Sequence, residues 1–86
     1  MKLFKVSIVT PERLVWEGEV ESLVAPSALG YLGVLANHAP LLSALGKGKL
    51  SLKMSNQETI QYKLEGGFME VLNNQVTFLA DYAHNI

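Results

Sequence analysis

Leu50-Ser51-Leu52-Lys53-Met54 and Ile60-Gln61-Tyr62-Lys63-Leu64 decide the fold, with the polar Ser55-Asn56-Gln57-Glu58 between them. In both runs apolar and polar side chains alternate with period two, the signature of a half-buried strand. Successive side chains of a strand point to opposite faces, so each run buries one face and leaves the other to solvent. The polar stretch between them has the composition of a hairpin connection.

The same pattern continues outward in both directions. Phe4, Val6 and Ile8 alternate with Lys5, Ser7 and Val9, and Thr10-Pro11-Glu12-Arg13 closes that run, because Pro11 has no N–H for a ladder. Val76, Phe78 and Ala80 alternate with Thr77, Leu79 and Asp81. Phe68, Glu70 and Leu72 oppose Met69 and Val71, a strand with less clear sides. Gly66-Gly67 before it reads as a turn or a bulge, and Asn73-Asn74 after it as a tight turn, since Asn tolerates positive φ. Leu14 to Val24 also reads as extended, with Val20, Ser22 and Val24 on one side, Glu19, Glu21 and Leu23 on the other, and a bend or bulge at Gly18. Only His38 to Leu45 has room for a turn of helix, with Pro40 suited to its first turn. Seven or more short strands with frequent turns predict an all-β chain, a small sandwich or barrel.

Length and charge narrow the function. The chain has 86 residues, 49% of them hydrophobic and 17% charged, with no cysteine and a net charge of −1. One domain, 1–86, fits that length. It must hold together without disulfides or thiolate-bound metal. Balanced charge leaves no footprint for nucleic acid. The uncharged stretch Ser22–Gly46 is broken by Gly, Pro, Ser, Asn and His, so membrane insertion is not expected, and the chain reads as soluble and cytoplasmic.

Chemistry is thinly represented. No serine sits in a nucleophile elbow. His38 and His84 are the only two histidines, the residue type suited to acid–base or metal chemistry, and His84 diverges from Asp81 on an extended segment. Glu17, Glu19 and Glu21 read as a solvated stripe. No catalytic, cofactor-binding or metal-binding residue is expected, nor a small-molecule ligand. A hydrolase using His38 or His84, and a small β-sandwich that binds an acidic or carbohydrate-like ligand through Gly46-Lys47-Gly48-Lys49, are the alternatives; the latter segment could attract an anion but reads first as a mobile loop. Gly30 and Gly33 lack the third glycine and the Lys of a phosphate loop and read as residues that permit turns or close backbone approach. Phe68, Val71, Val76 and Phe78 are assigned to the core, and Trp16 to neither side. Leu29, Tyr31, Leu32, Val34, Leu35, Leu41, Leu42 and Leu45 are too many apolar groups for one short stretch to hide, so part of them forms a partner surface.

Three ordered motifs carry a resemblance. Gly30-Tyr31-Leu32-Gly33-Val34-Leu35-Ala36-Asn37-His38-Ala39-Pro40-Leu41-Leu42 resembles the G-x-x-G-[VI]-x-x-x-H-[AT]-P-L-[LV] segment of F-type ATP synthase epsilon subunits. Gly66-Gly67-Phe68-Met69-Glu70-Val71, Asn74, Val76-Thr77 and Leu79-Ala80-Asp81 resemble that family's closing motif, and Val6 to Glu12 with Gly18 its opening. The resemblance implies a β-sandwich of about ten strands. It implies a non-catalytic rotor subunit at the foot of the central stalk, on the cytoplasmic face of a bacterial cell membrane. It implies the gamma subunit and the c-ring as partners, in coupling ion flow to ATP synthesis. Leu29, Gly30, Tyr31, Leu32 and Gly33 match the family's c-ring-facing loop, with Tyr31 where an acidic residue is common. His38 matches the family histidine whose loop approaches gamma, and Leu42 falls near it; bracing of the Pro40 turn is the other role for His38, and Leu41 belongs to the core. The family's helical hairpin would begin where this sequence stops, at Ile86, so neither autoinhibition nor ATP binding is implied.

Overall fold

The computed structural model describes residues 2–86. Eight strands are formed: β1 Phe4–Val9, β2 Leu14–Val20, β3 Ser22–Ser27, β4 Gly30–Leu35, β5 Leu41–Ala44, β6 Lys47–Lys53, β7 Thr59–Leu72 and β8 Gln75–Asn85. There is no helix among the described residues. The strands hydrogen-bond in the order β2-β1-β8-β7-β6-β3-β4, with β5 also on β7. All pairings are antiparallel except β1 with β8.

This one ladder is creased into two layers. The buried side chains of β7 are Tyr62 and Leu64 before Gly66-Gly67, but Met69 and Val71 after it. On β8, Val76, Phe78 and Ala80 are buried before Asp81, and Ala83 packs on the core beyond it. Pairing between β7 and β8 keeps a single register across the crease, Glu65 opposite Tyr82 and Gly67 opposite Ala80. The glycine pair is therefore neither turn nor register-shifting bulge. Both strands bend there and exchange inner and outer faces. The first layer holds β2, β1, the start of β8, the end of β7, and β5; the second holds the end of β8, the start of β7, β6, β3 and β4. Eight strands replace the expected ten because β7 and β8 each run through both layers.

The bend requires glycine. Gly66 and Gly67 have φ of 66° and 98°. A Cβ on Gly67 would overlap the Leu79 carbonyl oxygen and lie 2.9 Å from the Ala80 Cα; one on Gly66 would overlap the Asp81 carboxylate. β5 and β6 meet β7 in one register on either side of the crease, and Leu45-Gly46 breaks them at the same level. There the Leu45 N–H donates to the Gly67 carbonyl at 2.9 Å.

Between the layers lie Val6, Ile8, Val20, Leu23, Leu50, Leu52, Leu64, Met69 and Phe78, all almost fully buried. Several local readings need correction. Phe68 is not core: the face exchange at the crease puts Met69 inside and Phe68 outside. His38–Leu45 forms no helical turn; β5 pairs instead with the end of β7, whose free edge offers a ladder. The Leu14–Val24 run breaks at Glu21, so Leu23 and Ala25, and not Ser22 and Val24, face inward. Gly18 marks no bend. It sits within β2 under the Trp16 ring, whose atoms would be 2.8 Å from a Cβ there, and the half-buried indole packs on the core through that space. Glu21 is no part of a solvated stripe either. Its carboxylate is largely buried and pairs with Lys53 Nζ at 3.2 Å, tying the layer-changing link to β6.

Both predicted hairpin turns form. Met54 N–H donates to Glu58 O at 2.8 Å, with Gln57 at positive φ, and Asn73 and Asn74 take φ of 50° and 59°.

Candidate functional site

Ser27 organises the β3–β4 hairpin tip. Its hydroxyl donates to the Gly30 carbonyl and accepts the Leu29 N–H at 3.3 Å. The Ala28 N–H donates to Ala44 O at 2.9 Å, so the tip is tethered to β5. Leu29 projects from this braced turn with 99% of its surface exposed. Gly30 takes φ of 127°, as a turn glycine should. Gly33 does not, which corrects its reading as a residue that permits a turn or close backbone approach: it is extended within β4, and the nearest atom to a Cβ there is Leu23 O at 4.0 Å. Gly33→Val should therefore shift stability by only ~0.5 kcal/mol. Thermal unfolding checks this; a loss of several kcal/mol would contradict the extended assignment.

Tyr31 is exposed yet anchored. Its ring lies over Gly48 and Pro26, and a Cβ on Gly48 would be 2.6 Å from its hydroxyl. The hydroxyl accepts the Lys49 N–H at 3.3 Å. The cause is Pro26: the β3–β6 ladder stops at Val24 opposite Ser51, and two residues on, Pro26 has no N–H to continue it. Tyr31 covers the gap. Tyr31→Phe should cost about 1 kcal/mol of stability through the unmet Lys49 N–H. Equilibrium urea unfolding measures it, and an unchanged midpoint would contradict the cap. Leu32, the other member of this loop, turns half-buried onto the core.

His38 and Leu42 lie away from that tip, beyond the far end of β4 and on β5. The His38 ring Nδ1 contacts Ala39 O at 2.7 Å and its backbone N–H donates to Leu35 O at 3.3 Å, so the bracing role is formed. Next to it the Asn37 N–H donates to the Asn74 side-chain carbonyl, and Asn74 Nδ2 donates to Asn37 Oδ1 at 3.0 Å, locking the β4–β5 link to the β7–β8 turn. Leu42 is exposed, and Leu41 packs partly on the core.

The feature sequence reasoning missed surrounds Phe68. On the outer face of the first layer, Ala44 opposes Phe68, Phe68 opposes Leu79, Leu79 opposes Val9, and Val9 opposes Leu14. This unbroken apolar row crosses five strands, with Phe68 and Leu79 each 54% exposed. A groove of about 530 Å³ runs along it, lined by Val9, Pro11, Gly67, Phe68, Leu79 and Asp81. Leu42 stands one row away, opposite Glu70. Sequence alternation alone would place Phe68 inside; the signal that could have exposed it was Gly66-Gly67 read as an exchange of faces.

A cationic row crosses the outer face of the second layer. Lys49 opposes Lys63, and Lys63 opposes His84. Lys47 and Lys49 belong to β6, not to a mobile loop, which removes the flexible anion-binding segment considered above. Lys47 reaches Glu65 only at 4.0 Å, an exposed pair of little energetic weight. His84 stacks on Tyr82 with ring centres 6.3 Å apart. No three His, Asp or Glu side chains gather as a metal site among the described residues.

Residues 3–86 match the family model described as the ATP synthase Delta/Epsilon chain, beta-sandwich domain. The chain belongs to this family. Within it, the chain is 48% identical over 85 residues to the chloroplastic ATP synthase epsilon chain of Cyanidioschyzon merolae, covering 95% of this chain and 64% of that one. It is 42% identical over 80 residues to the ATP synthase epsilon chain of Chlorobium limicola, covering 93% and 91%. It thus spans a little under two thirds of the algal epsilon chain and most of the Chlorobium one. The delta/epsilon sandwich fold recurs in a chain of the Euglena gracilis mitochondrial ATP synthase, with a TM-score of 0.87 at 22% identity, covering 93% of this chain and 51% of that chain. It recurs in the central stalk and c-ring structure of the Tetrahymena thermophila enzyme, with a TM-score of 0.74 at 16% identity, covering 92% and 63%.

Proposed function

We propose that this chain is a non-catalytic central-stalk subunit of a proton-translocating F-type ATP synthase, acting as one β-sandwich domain. It joins the gamma subunit to the c-ring and helps couple ion flow to rotary ATP synthesis, at the cytoplasmic face of a bacterial cell membrane. The observation that carries this is the apolar row Ala44-Phe68-Leu79-Val9-Leu14, in a chain of the delta/epsilon family. A contiguous exposed apolar band marks a protein interface. It fits the gamma subunit, with Phe68 as aromatic anchor and Leu42 at its margin.

The c-ring contact falls to Leu29, Gly30, Tyr31, Leu32 and Gly33. Leu29 supplies an apolar tip on a turn held by Ser27, and Tyr31 a flat contact that the sandwich already holds in place. His38 shapes the turn leading to Leu42, so its effect on gamma binding acts through Leu42 and β5. Torque transfer needs rigidity between two contacts, and the continuous strands β7 and β8 brace both layers.

Co-elution of this chain with purified gamma subunit, and separately with detergent-solubilised c-ring, tests the reading. A stoichiometric complex with gamma that recruits the c-ring is the expected result. Absence of any complex at micromolar concentration would overturn it.

A further inference from the structure

The free edge of β4 differs from every other edge of this sandwich. β2 carries Glu17 and Glu19, the end of β8 beyond its pairing with β1 carries Asp81, and β5 is only four residues long. Charge and shortness are the usual protections of an exposed edge. β4, Gly30-Tyr31-Leu32-Gly33-Val34-Leu35, has neither charge nor proline, and no strand lies beyond it.

Pro26 fixes which backbone groups face outward. It lies opposite Tyr31 and has no N–H, so that pair cannot be a hydrogen-bonded one. By the antiparallel alternation, Gly30, Leu32 and Val34 bond to β3, while Tyr31, Gly33 and Leu35 turn their N–H and C=O to the open side. The Leu35 carbonyl also accepts the His38 N–H, and a carbonyl has a second lone pair to offer.

We propose that this edge takes a second copy of the chain, β4 against β4, antiparallel about a two-fold axis at Gly33. The sequence is self-complementary in that register. Gly33 meets Gly33, and Tyr31 of each copy stands opposite Leu35 of the other. Every outward N–H finds a C=O, and two aromatic–aliphatic cross-strand pairs form on the outer face. An isologous contact sets each residue against its own kind near the axis, so a charged edge repels itself. β2 fails this test and β4 passes it. The exposed Tyr31, Leu35 and neighbouring Val24 then form one apolar strip across both copies. Because Tyr31 is shared, pairing and a c-ring contact through the same residue exclude each other; the proposal itself does not rest on the rotor reading.

Sedimentation equilibrium of the isolated chain, from about 1 μM to about 1 mM, is the test. It is run with amide hydrogen exchange at both ends of that range. The expected result is a monomer–dimer equilibrium in which the Tyr31, Gly33 and Leu35 amides become protected at high concentration. Gly33→Lys has open space for its side chain and should weaken pairing at least about tenfold while the dilute melting temperature holds. Leu35→Lys, at an exposed position, should do the same and serves should Gly33→Lys not fold. A monomer throughout the range would overturn the proposal. So would a dimer that survives both lysines, or protection of these amides only on adding a different protein.

Discussion

Gly67→Ala should remove a large part of the stability of this chain. The φ of 98° strains any L-residue, and the added methyl would meet the Leu79 carbonyl oxygen and the Ala80 Cα on the partner strand. Neither is the movable end of a side chain. Relief requires opening the β7–β8 ladder at the crease that joins the two layers. The cost should be about 3 kcal/mol or more, from the backbone strain and the overlap together. A domain of this length has only about 4–13 kcal/mol in total. The melting temperature should fall by more than about 12 °C, read by circular dichroism. A shift of a degree or two would mean that β7 does not bend through Gly67 and that the layer assignment is wrong.

Phe68→Lys should separate binding from folding. The side chain is half exposed on a regular strand, so the fold should lose less than about 1 kcal/mol. Its loss from the middle of the apolar row should weaken association with gamma by about 2 kcal/mol, or about thirtyfold. Leu79→Lys, directly across the ladder, should reproduce the effect, and the pair should be less than additive because the two side chains share one contact. Titration calorimetry against gamma, beside thermal unfolding of each variant, distinguishes the two effects. A Phe68→Lys chain that binds gamma normally would remove the apolar row from the interface.

Most of the strands were legible from alternation because they lie on one side of the crease. β1, β6 and the first half of β7 each keep a single buried face, and the Ser55–Glu58 and Asn73-Asn74 turns carry residues that tolerate their dihedral angles. Gly66-Gly67 shows where local reading stops. The pair looks like punctuation between two strands, yet the ladder runs through it because β8 and the Leu45-Gly46 break bend at the same level. No pattern within β7 reveals that agreement among three distant segments. The wrong side for Phe68 follows directly, and with it the missed apolar row.

The hairpin tip was easier to place. Leu29 lies in a stretch with more apolar groups than a core can use, and its exposure follows from that excess. The anchoring of Tyr31 was not legible, since it depends on Pro26 interrupting a ladder with β6, which is remote in sequence. His38 was read as either a brace or a contact, and its ring-to-backbone bond is the first of these.

Calorimetric titration of the unaltered chain into purified gamma subunit, with Phe68→Lys run in parallel, tests the central claim most directly. The account predicts a one-to-one complex whose affinity falls about thirtyfold in the variant while the variant melts as the parent does. Equal affinity for both chains, or no binding by either, would contradict it.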